Sequence, residues 1–386
     1  IIGCKEIGRD EDFYSVGGDS LLVAQTISQM MQKLPETKGW KWDALMMALM
    51  KNATIKGIAE VLRGKISETT EEKSENISPF ISFKEPEKDC EKAKILFHAG
   101  TGTLSSYKDL LPYLAKSSRE SELLGGFNFG SFEEYLNRDV DSLIIDTAKR
   151  YADILEKIST NQYILMGYCV GGWIAFETAR ILVERGKNVA KVVTISSSLC
   201  GHNYDNELLL ERAFALSIGA DIEKAGYIGS NTLLQRALEN FKTHNGDRAI
   251  SIDELCTLSG EYEELAVGFK KLSELSQEER LQKIFATIKK NEGDDAENID
   301  MFKILYKLFR HSFKGIMRYE PSIYVGDVHA LFVADDTKHF FPVRDISNKE
   351  LWENIVLGDL TIDYIPGEHT NCLKEPNVHD VAKILE

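Results

Sequence analysis

The sequence predicts an α/β fold in which a mostly parallel sheet carries helices on both faces and a large helical insertion. Short apolar runs alternate with amphipathic helical segments from residue 93 onward, which is typical of a parallel sheet buried on both sides. Residues 205–318 contain no proline and have helical patterns throughout. A glycine-flanked turn, Gly167-Tyr168-Cys169-Val170-Gly171, joins an apolar run to a helical pattern.

Each element has its own signal in the pattern of apolar residues. Apolar runs of strand length predict strands at residues 94–97, 123–129, 163–166, 191–195, 329–333 and 360–365. Helical periodicity predicts helices at residues 107–115, 146–158 and 172–182 and at the end of the chain. Within 205–318, two strings have the form of capping boxes that begin helices, Ser251–Glu254 and Ser276–Glu279. Such an insertion would form a lid over the carboxyl ends of the strands.

Composition narrows the functional class. The chain has 386 residues, 43% hydrophobic and 28% charged residues, and a formal net charge of −15, which disfavours nonspecific binding to nucleic acid. No apolar run approaches the roughly 20 residues that span a bilayer, so we expect no membrane association. The six cysteines are scattered, which favours reduced thiols in the cytoplasm and no metal cluster. The first residues lack Met and a signal-peptide pattern, as in a piece of a longer chain.

The chain divides into a first domain at 1–65, a Glu-, Lys- and Ser-rich linker at 66–92 and a second domain at 93–386. In the first domain, Ser20 follows Gly17-Gly18-Asp19 and begins an amphipathic helical pattern. Helix N-termini favour phosphate groups, although Asp19 or Ser20 at this place also fits a simple helix cap. The whole string, residues 12–22, resembles the attachment motif of acyl and peptidyl carrier proteins. The resemblance implies a small all-α carrier domain, here without its usual first helix, and covalent 4′-phosphopantetheine on Ser20.

In the second domain, Cys169 stands at the centre of the glycine-flanked turn. A strand, a sharp turn and a helix are the context of a nucleophile elbow, G-x-S-x-G, with cysteine in place of serine. The N-terminus of the following helix predicts a lowered pKa and a thiolate. The oxyanion hole would use the N–H of Val170 and a second N–H from the turn after the first strand, either Gly100 or Thr101.

The base and the orienting acid are assigned by position. Of the eight histidines, His369 alone lies in a loop after the last strand and before the terminal helix, where the base of an α/β-hydrolase belongs; His98 is second. Asp335 and Asp336 follow the strand at 329–333 and are both candidates for the acid, and Asp205 is a third. A solvated turn explains paired aspartates equally well.

Together these residues resemble the terminal peptidyl carrier–thioesterase didomain of nonribosomal peptide synthetases. The resemblance implies that Cys169 accepts the acyl or peptidyl chain from the carrier, that His369 is the base, and that Asp335 or Asp336 orients it. It also implies upstream condensation and adenylation modules and a phosphopantetheinyl transferase as partners. Many members of the family carry the acid directly after the strand that corresponds to 191–195, where this chain has Ser196.

Several alternatives stay open. The acyl-enzyme could release its chain by hydrolysis or by cyclisation, including closure of a strained lactone or lactam. The absent acid at Ser196 also fits a degenerate hydrolase domain that only docks partners. A polyketide-type or editing thioesterase has the same motifs, and a serine enzyme with cysteine substituted at position 169 has the same sequence.

Overall fold

The computed structural model describes nearly all of the second domain, namely residues 78–288, 297–334, 341 and 348–386. In the first domain it describes residues 7–11, 13 and 52–63, together with 26, 27, 29–31, 33–38, 40, 45, 48 and 49. Within this first part, a helix, α1, runs over Ile55–Leu62. The Thr54 side chain caps it by accepting a hydrogen bond from the N–H of Gly57.

The second domain contains a seven-stranded sheet in the order β1-β3-β2-β4-β5-β6-β7. β1 pairs antiparallel with β3, and the other neighbouring strands pair in parallel. The strands are β1 Phe80–Lys84, β2 Lys92–Phe97, β3 Glu122–Phe127, β4 Gln162–Tyr168, β5 Val189–Ile195, β6 Val328–Val333 and β7 Leu360–Ile365. The predicted fold class is confirmed.

Side chains of the central strands pack into two separate cores. In β2, Ile95 and Phe97 belong to one cluster of buried residues and Leu96 to the other. In β6, Ala330 and Leu331 divide in the same way. Because successive side chains of a strand point to opposite faces, the sheet is covered on both sides, and its central strands are apolar at nearly every position.

Helices connect the strands and fill the insertion. They are α2 Leu111–Ser117, α3 Phe132–Leu136, α4 Leu143–Leu155, α5 Val170–Glu184, α6 Glu207–Ser217, α7 Ile222–Ala225, α8 Asn231–Asn245, α9 Ile252–Cys256, α10 Glu263–Ser273, α11 Gln277–Ile288, α12 Glu297–Arg318, α13 Asn348–Ile355 and α14 Val378–Leu385. We call α6 to α12, which lie between β5 and β6, the lid. Among the helices of the described ranges, none has both the length and the apolar character needed to cross a membrane.

The sheet begins earlier in the chain than the sequence predicted. Residues 66–92 were expected to form a linker, yet β1 lies at Phe80–Lys84 within that range. Its short run is surrounded by Glu and Lys and shows little apolar periodicity, so its strand character comes from pairing with β3 and is not readable locally. The other six strands were located within two residues at both ends.

A buried ion pair holds the lid together. Glu211 of α6 and Arg280 of α11 are both buried, and the guanidinium donates from Nε at 2.6 Å and from Nη2 at 2.9 Å to the two carboxylate oxygens. The hydroxyl of Tyr227 donates to the same carboxylate at 2.7 Å. These bonds tie α6, α11 and the turn after α7 into one unit.

We expect Glu211→Ala to lower the free energy of unfolding by about 3–5 kcal/mol, because it leaves the Arg280 charge buried without its carboxylate. Glu207→Ala on the same helix is the matched control, since Glu207 is 43% exposed and lies 3.6 Å from Arg280; its loss should stay below about 1 kcal/mol. Urea unfolding followed by circular dichroism measures both. Equal losses would contradict the importance assigned to the buried pair.

Candidate active site

Cys169 lies at the turn between β4 and α5 and has a left-handed backbone, with φ 59°. Its N–H donates to the Ile195 carbonyl at 3.0 Å, and its own carbonyl accepts from the N–H of Gly172 at 3.2 Å. This conformation is unfavourable for a residue with a side chain, so both backbone bonds hold the turn in a strained shape. The predicted strand–turn–helix geometry is therefore present at this residue.

The flanking glycines let the strand and the helix approach each other. A Cβ on Gly167 would lie 2.1 Å from the backbone oxygen of Gly171. A Cβ on Gly171 would lie 2.5 Å from the carbonyl oxygen of Phe97 and 2.6 Å from that of His98. These atoms belong to the backbone and cannot rotate away, so only glycine fits at either position. The start of α5 therefore lies directly against the end of β2.

Two backbone amides point at the thiol of Cys169. The N–H groups of Val170, at the start of α5, and of Gly100, in the turn after β2, both form hydrogen bonds to it. Of the two donors considered for the second place, the structure brings Gly100 to the thiol. A pair of convergent N–H groups at the centre of such a turn has the geometry of an oxyanion hole.

The predicted lowering of the thiol pKa is wrong. Burial raises the pKa of Cys169 to about 12, and the hydrogen bonds from Val170 and Gly100 lower it only in part. The helix N-terminus favours the thiolate as expected, but the loss of hydration of the charged form is the larger effect here. At neutral pH Cys169 is therefore a neutral thiol, which would have to lose its proton before it could act as a nucleophile.

His369 lies in the loop after β7 and is buried, with its ring against the elbow. The ring stacks on that of Tyr168 at a centroid distance of 4.9 Å, and the Tyr168 hydroxyl donates to the His369 carbonyl. Nδ1 of His369 lies 2.8 Å from Oγ of Ser196. His369 thus contacts Tyr168, directly before Cys169, and Ser196. Ser196 follows Ile195, whose carbonyl accepts the hydrogen bond from the Cys169 N–H.

Ser196 is the residue whose contact the sequence did not foresee. Its position was predicted to lack the acid that many members of the family carry, and its hydroxyl faces the imidazole. The signal available in the sequence was its position directly after β5, the neighbour of β4, because carboxyl ends of adjacent parallel strands share one edge of the sheet.

Three predicted residues lie outside the described part of the chain: Ser20, Asp335 and Asp336. Asp205, the remaining acid candidate, forms ion pairs with Lys314 and Arg318 of α12. His98, the second choice for the base, is fully buried with Nδ1 2.9 Å from the carbonyl oxygen of Ala99, and burial lowers its pKa to about 4.

A small, mainly apolar cavity opens at the thiol. On the sheet side it is lined by Gly100, Cys169, Val170 and Ser198, and on the other side by Phe309, Ser312, Phe313 and Ile316 of α12, with Phe341. The lid therefore forms one wall of the cavity around the Cys169 thiol.

Comparison with known proteins places two family models on the chain. The model of the thioesterase domain matches residues 95–215, and that of the phosphopantetheine attachment site matches residues 1–62. These ranges agree with the predicted order of a carrier followed by a hydrolase. A phosphopantetheine attachment domain carries its prosthetic group covalently on a serine.

Relatives and solved structures extend this result. Pyochelin synthetase PchF of Pseudomonas aeruginosa is 28% identical over 402 residues, which cover 99% of this chain and 21% of the relative. Surfactin synthase subunit 3 of Bacillus subtilis is 26% identical over 198 residues, 51% of this chain and 13% of that protein. The chain thus spans about a fifth or less of the length of the curated relatives it matches.

The fold is similar to that in a crystal structure of a four-domain nonribosomal peptide synthetase bound to AMP and glycine. The TM-score is 0.55 and the sequence identity 18%, and the match covers 100% of this chain and 25% of that one.

We expect the alkylation rate of Cys169 by iodoacetamide to keep rising above pH 9 in the folded protein, because its pKa of about 12 leaves few thiolates at neutral pH. In denaturant the same thiol should titrate near the ordinary value of about 8.5. Peptide mapping by mass spectrometry follows the residue in both states. A plateau in the folded protein below pH 8 would contradict the neutral thiol.

Proposed function

Because the chain joins a phosphopantetheine attachment domain to a thioesterase domain, we propose that it is the chain-releasing end of a nonribosomal peptide synthetase. In this proposal the acyl or peptidyl chain passes from the carrier to Cys169 and leaves from there. The observation that carries it is the convergence of two amides on the Cys169 thiol beside a histidine held against the elbow.

The acyl donor in this proposal is the carrier domain, and we assign the attachment of 4′-phosphopantetheine to its Ser20. The prosthetic group supplies a thiol on a long arm, so that the substrate reaches the site as a thioester. A phosphopantetheinyl transferase is the partner that must load Ser20. Upstream condensation and adenylation modules are the partners that would supply the chain, in keeping with the synthetases that this sequence resembles.

In the first step, we propose that the Cys169 sulfur attacks the thioester carbonyl while Nε2 of His369 removes the thiol proton. The carbonyl oxygen becomes negative and is stabilised by the N–H groups of Val170 and Gly100. The intermediate then collapses, the new C–S bond to Cys169 remains, and the departing thiolate takes the proton from His369. One thioester replaces another, so the step is close to thermoneutral.

In the second step, His369 takes a proton from the group that attacks the acyl-Cys169 thioester, the C–S bond breaks, and the departing Cys169 thiolate regains its proton from His369. Water gives a free acid, and a hydroxyl or amine within the chain gives a lactone or lactam. A thioester is less resonance-stabilised than an oxoester and therefore stays activated for a weak or strained nucleophile. The apolar side chains of Phe309, Phe313 and Ile316 around the thiol favour an acyl chain that presents an apolar group next to its carbonyl.

The orienting acid stays a prediction, with Asp335 and Asp336 as the candidates. Since both follow β6, either would approach the site from the edge of the sheet where β4 and β5 also end.

Intact-protein mass spectrometry tests the nucleophile. Acyl-pantetheine is loaded onto the full chain through a phosphopantetheinyl transferase, and the protein is then cleaved between the domains. We expect Cys169→Ala to hold the acyl group on the carrier fragment and Cys169→Ser to accept it more slowly, because a hydroxyl is harder to deprotonate. Ser20→Ala is the unloaded control. Acylation of the second domain in Cys169→Ala would refute the assignment.

Product release is tested in water enriched in oxygen-18. Hydrolysis places one heavy oxygen in the released acid, whereas cyclisation gives a product without heavy oxygen and lighter by one water. We expect His369→Ala to lower either release rate by at least about 100-fold, the usual contribution of a general base. Turnover unchanged by His369→Ala would contradict the role of His369.

A further inference from the structure

We propose that Tyr107 is a positioning residue that sets the distance between the two oxyanion amides, those of Gly100 and Val170. The inference deepens the proposed function and rests on it, since it concerns how the negative oxygen of the intermediate is stabilised. Its evidence is one buried hydroxyl that bonds to the backbone of both strands that lead to these amides.

The hydroxyl of Tyr107 lies between the ends of β2 and β4. It donates to the carbonyl of Phe97, the last residue of β2, at 2.8 Å. It accepts from the N–H of Tyr168, the last residue of β4, at 2.6 Å. The two strands are paired in register as far as Phe97 and Gly167. The hydroxyl therefore joins them at the point where their pairing ends.

Both amides follow closely on the residues that Tyr107 contacts. Gly100 is three residues after Phe97, and Val170 is two residues after Tyr168. Because these connections are so short, a shift of either strand end also moves the amide that follows it. The Tyr107 hydroxyl thus controls the distance between the two amides through the strand ends that carry them.

Tyr107 is itself fixed in place. Its side chain is fully buried. Its N–H donates to the Leu104 carbonyl at 3.0 Å, and its carbonyl accepts from the N–H of Leu110 at 3.0 Å. Burial also raises the pKa of Tyr107, so at neutral pH the hydroxyl keeps its proton and stays a donor to Phe97.

The position of such amides decides how much they contribute to the reaction. Loss of one oxyanion donor lowers kcat by about 100- to 1000-fold, and a misplacement of about 1 Å can cost about 100-fold. Without the hydroxyl of Tyr107, the N–H of Tyr168 and the carbonyl of Phe97 lose their shared partner. We expect them to approach each other, which changes the distance between the amides.

The kinetic test uses the full chain and a soluble acyl-pantetheine thioester. Tyr107→Phe removes one oxygen atom and should lower kcat about 10- to 100-fold, with KM changed by less than about threefold, because the amides act mainly on the transition state. Tyr168 also contacts His369, so the pH profile of kcat/KM is recorded as well. Its acid limb should stay in place, and a shifted limb would assign the effect to the base.

Tyr163→Phe is the matched control. Tyr163 lies near the other end of β4 and is buried, and its hydroxyl donates to the carbonyls of Leu155 at 2.8 Å and Ile158 at 3.2 Å. The control thus also removes a buried hydroxyl that bonds to backbone, and urea unfolding should show a similar loss of stability. It should keep kcat; equal losses of kcat in the two variants would overturn the proposal.

A second variant, Tyr107→4-aminophenylalanine, keeps more of the fold. Its amino group still donates to the Phe97 carbonyl but is a poorer acceptor for the Tyr168 N–H. We expect its kcat to fall between those of the wild type and Tyr107→Phe, at least about threefold below the wild type. A wild-type kcat in this variant would contradict the role of the bond to Tyr168.

A trifluoromethyl ketone analogue of the acyl-pantetheine reports on the oxyanion itself. The Cys169 sulfur adds to the ketone carbon, the C=O electron pair moves onto the oxygen, and the thiol proton passes to His369. We expect Tyr107→Phe to raise its inhibition constant about 10- to 100-fold. The dissociation constant of the matching amide, which keeps a planar carbonyl, should change by less than about threefold. Equal changes in both constants would assign the effect to substrate binding and refute the proposal.

NMR separates this proposal from the proposed function. The amides of Gly100 and Val170 are observed in protein labelled with nitrogen-15 glycine and valine, and are assigned with Gly100→Ala and Val170→Ala. We expect Tyr107→Phe to move both resonances, with Cys169 present and in Cys169→Ala protein, and Tyr163→Phe to leave them in place. Unmoved resonances in Tyr107→Phe refute the positioning role, whereas acylation independent of Cys169 refutes only the proposed function.

Discussion

The close approach of β4 and α5 is the constraint on which the site depends. Gly167 and Gly171 leave no space for a Cβ, and the chain can turn between them only if Cys169 takes a left-handed backbone. The same approach sets the start of α5 against the carbonyls that end β2. The amide of Val170 and the amide of Gly100 then arrive at the thiol together, although they belong to separate elements.

The sequence predicted what local pattern encodes. Buried parallel strands such as β2, β4 and β5 are nearly continuous apolar runs, and the elbow has a fixed spacing of glycines, so both were readable. β1 was not, because its strand character depends on pairing with a distant segment. Nor was the contact of Ser196 with His369, which joins residues 173 positions apart in the chain. The sign of the thiol pKa shift depended on burial beneath the lid, which no local motif records.

Burial has two opposite effects at this thiol. It raises the pKa of Cys169, which lowers the population of the reactive thiolate. It also removes water from the two amides, so that their hydrogen bonds to a developing oxyanion are stronger than they would be in solvent. The lid wall formed by Phe309 and Phe313 supplies the dehydration in both cases.

The proposed nucleophile starts the reaction without a charge. The thiol is protonated at pH 7, and the hydroxyl of Ser196 carries no charge. In the proposed mechanism, charge appears on the carbonyl oxygen and on the imidazole as the proton moves. Only interactions that are stronger in the transition state than in the ground state accelerate the chemical step. In that mechanism the hydrogen bonds from the amides of Val170 and Gly100 gain most of their strength at that moment, so their stabilisation is concentrated on the transition state.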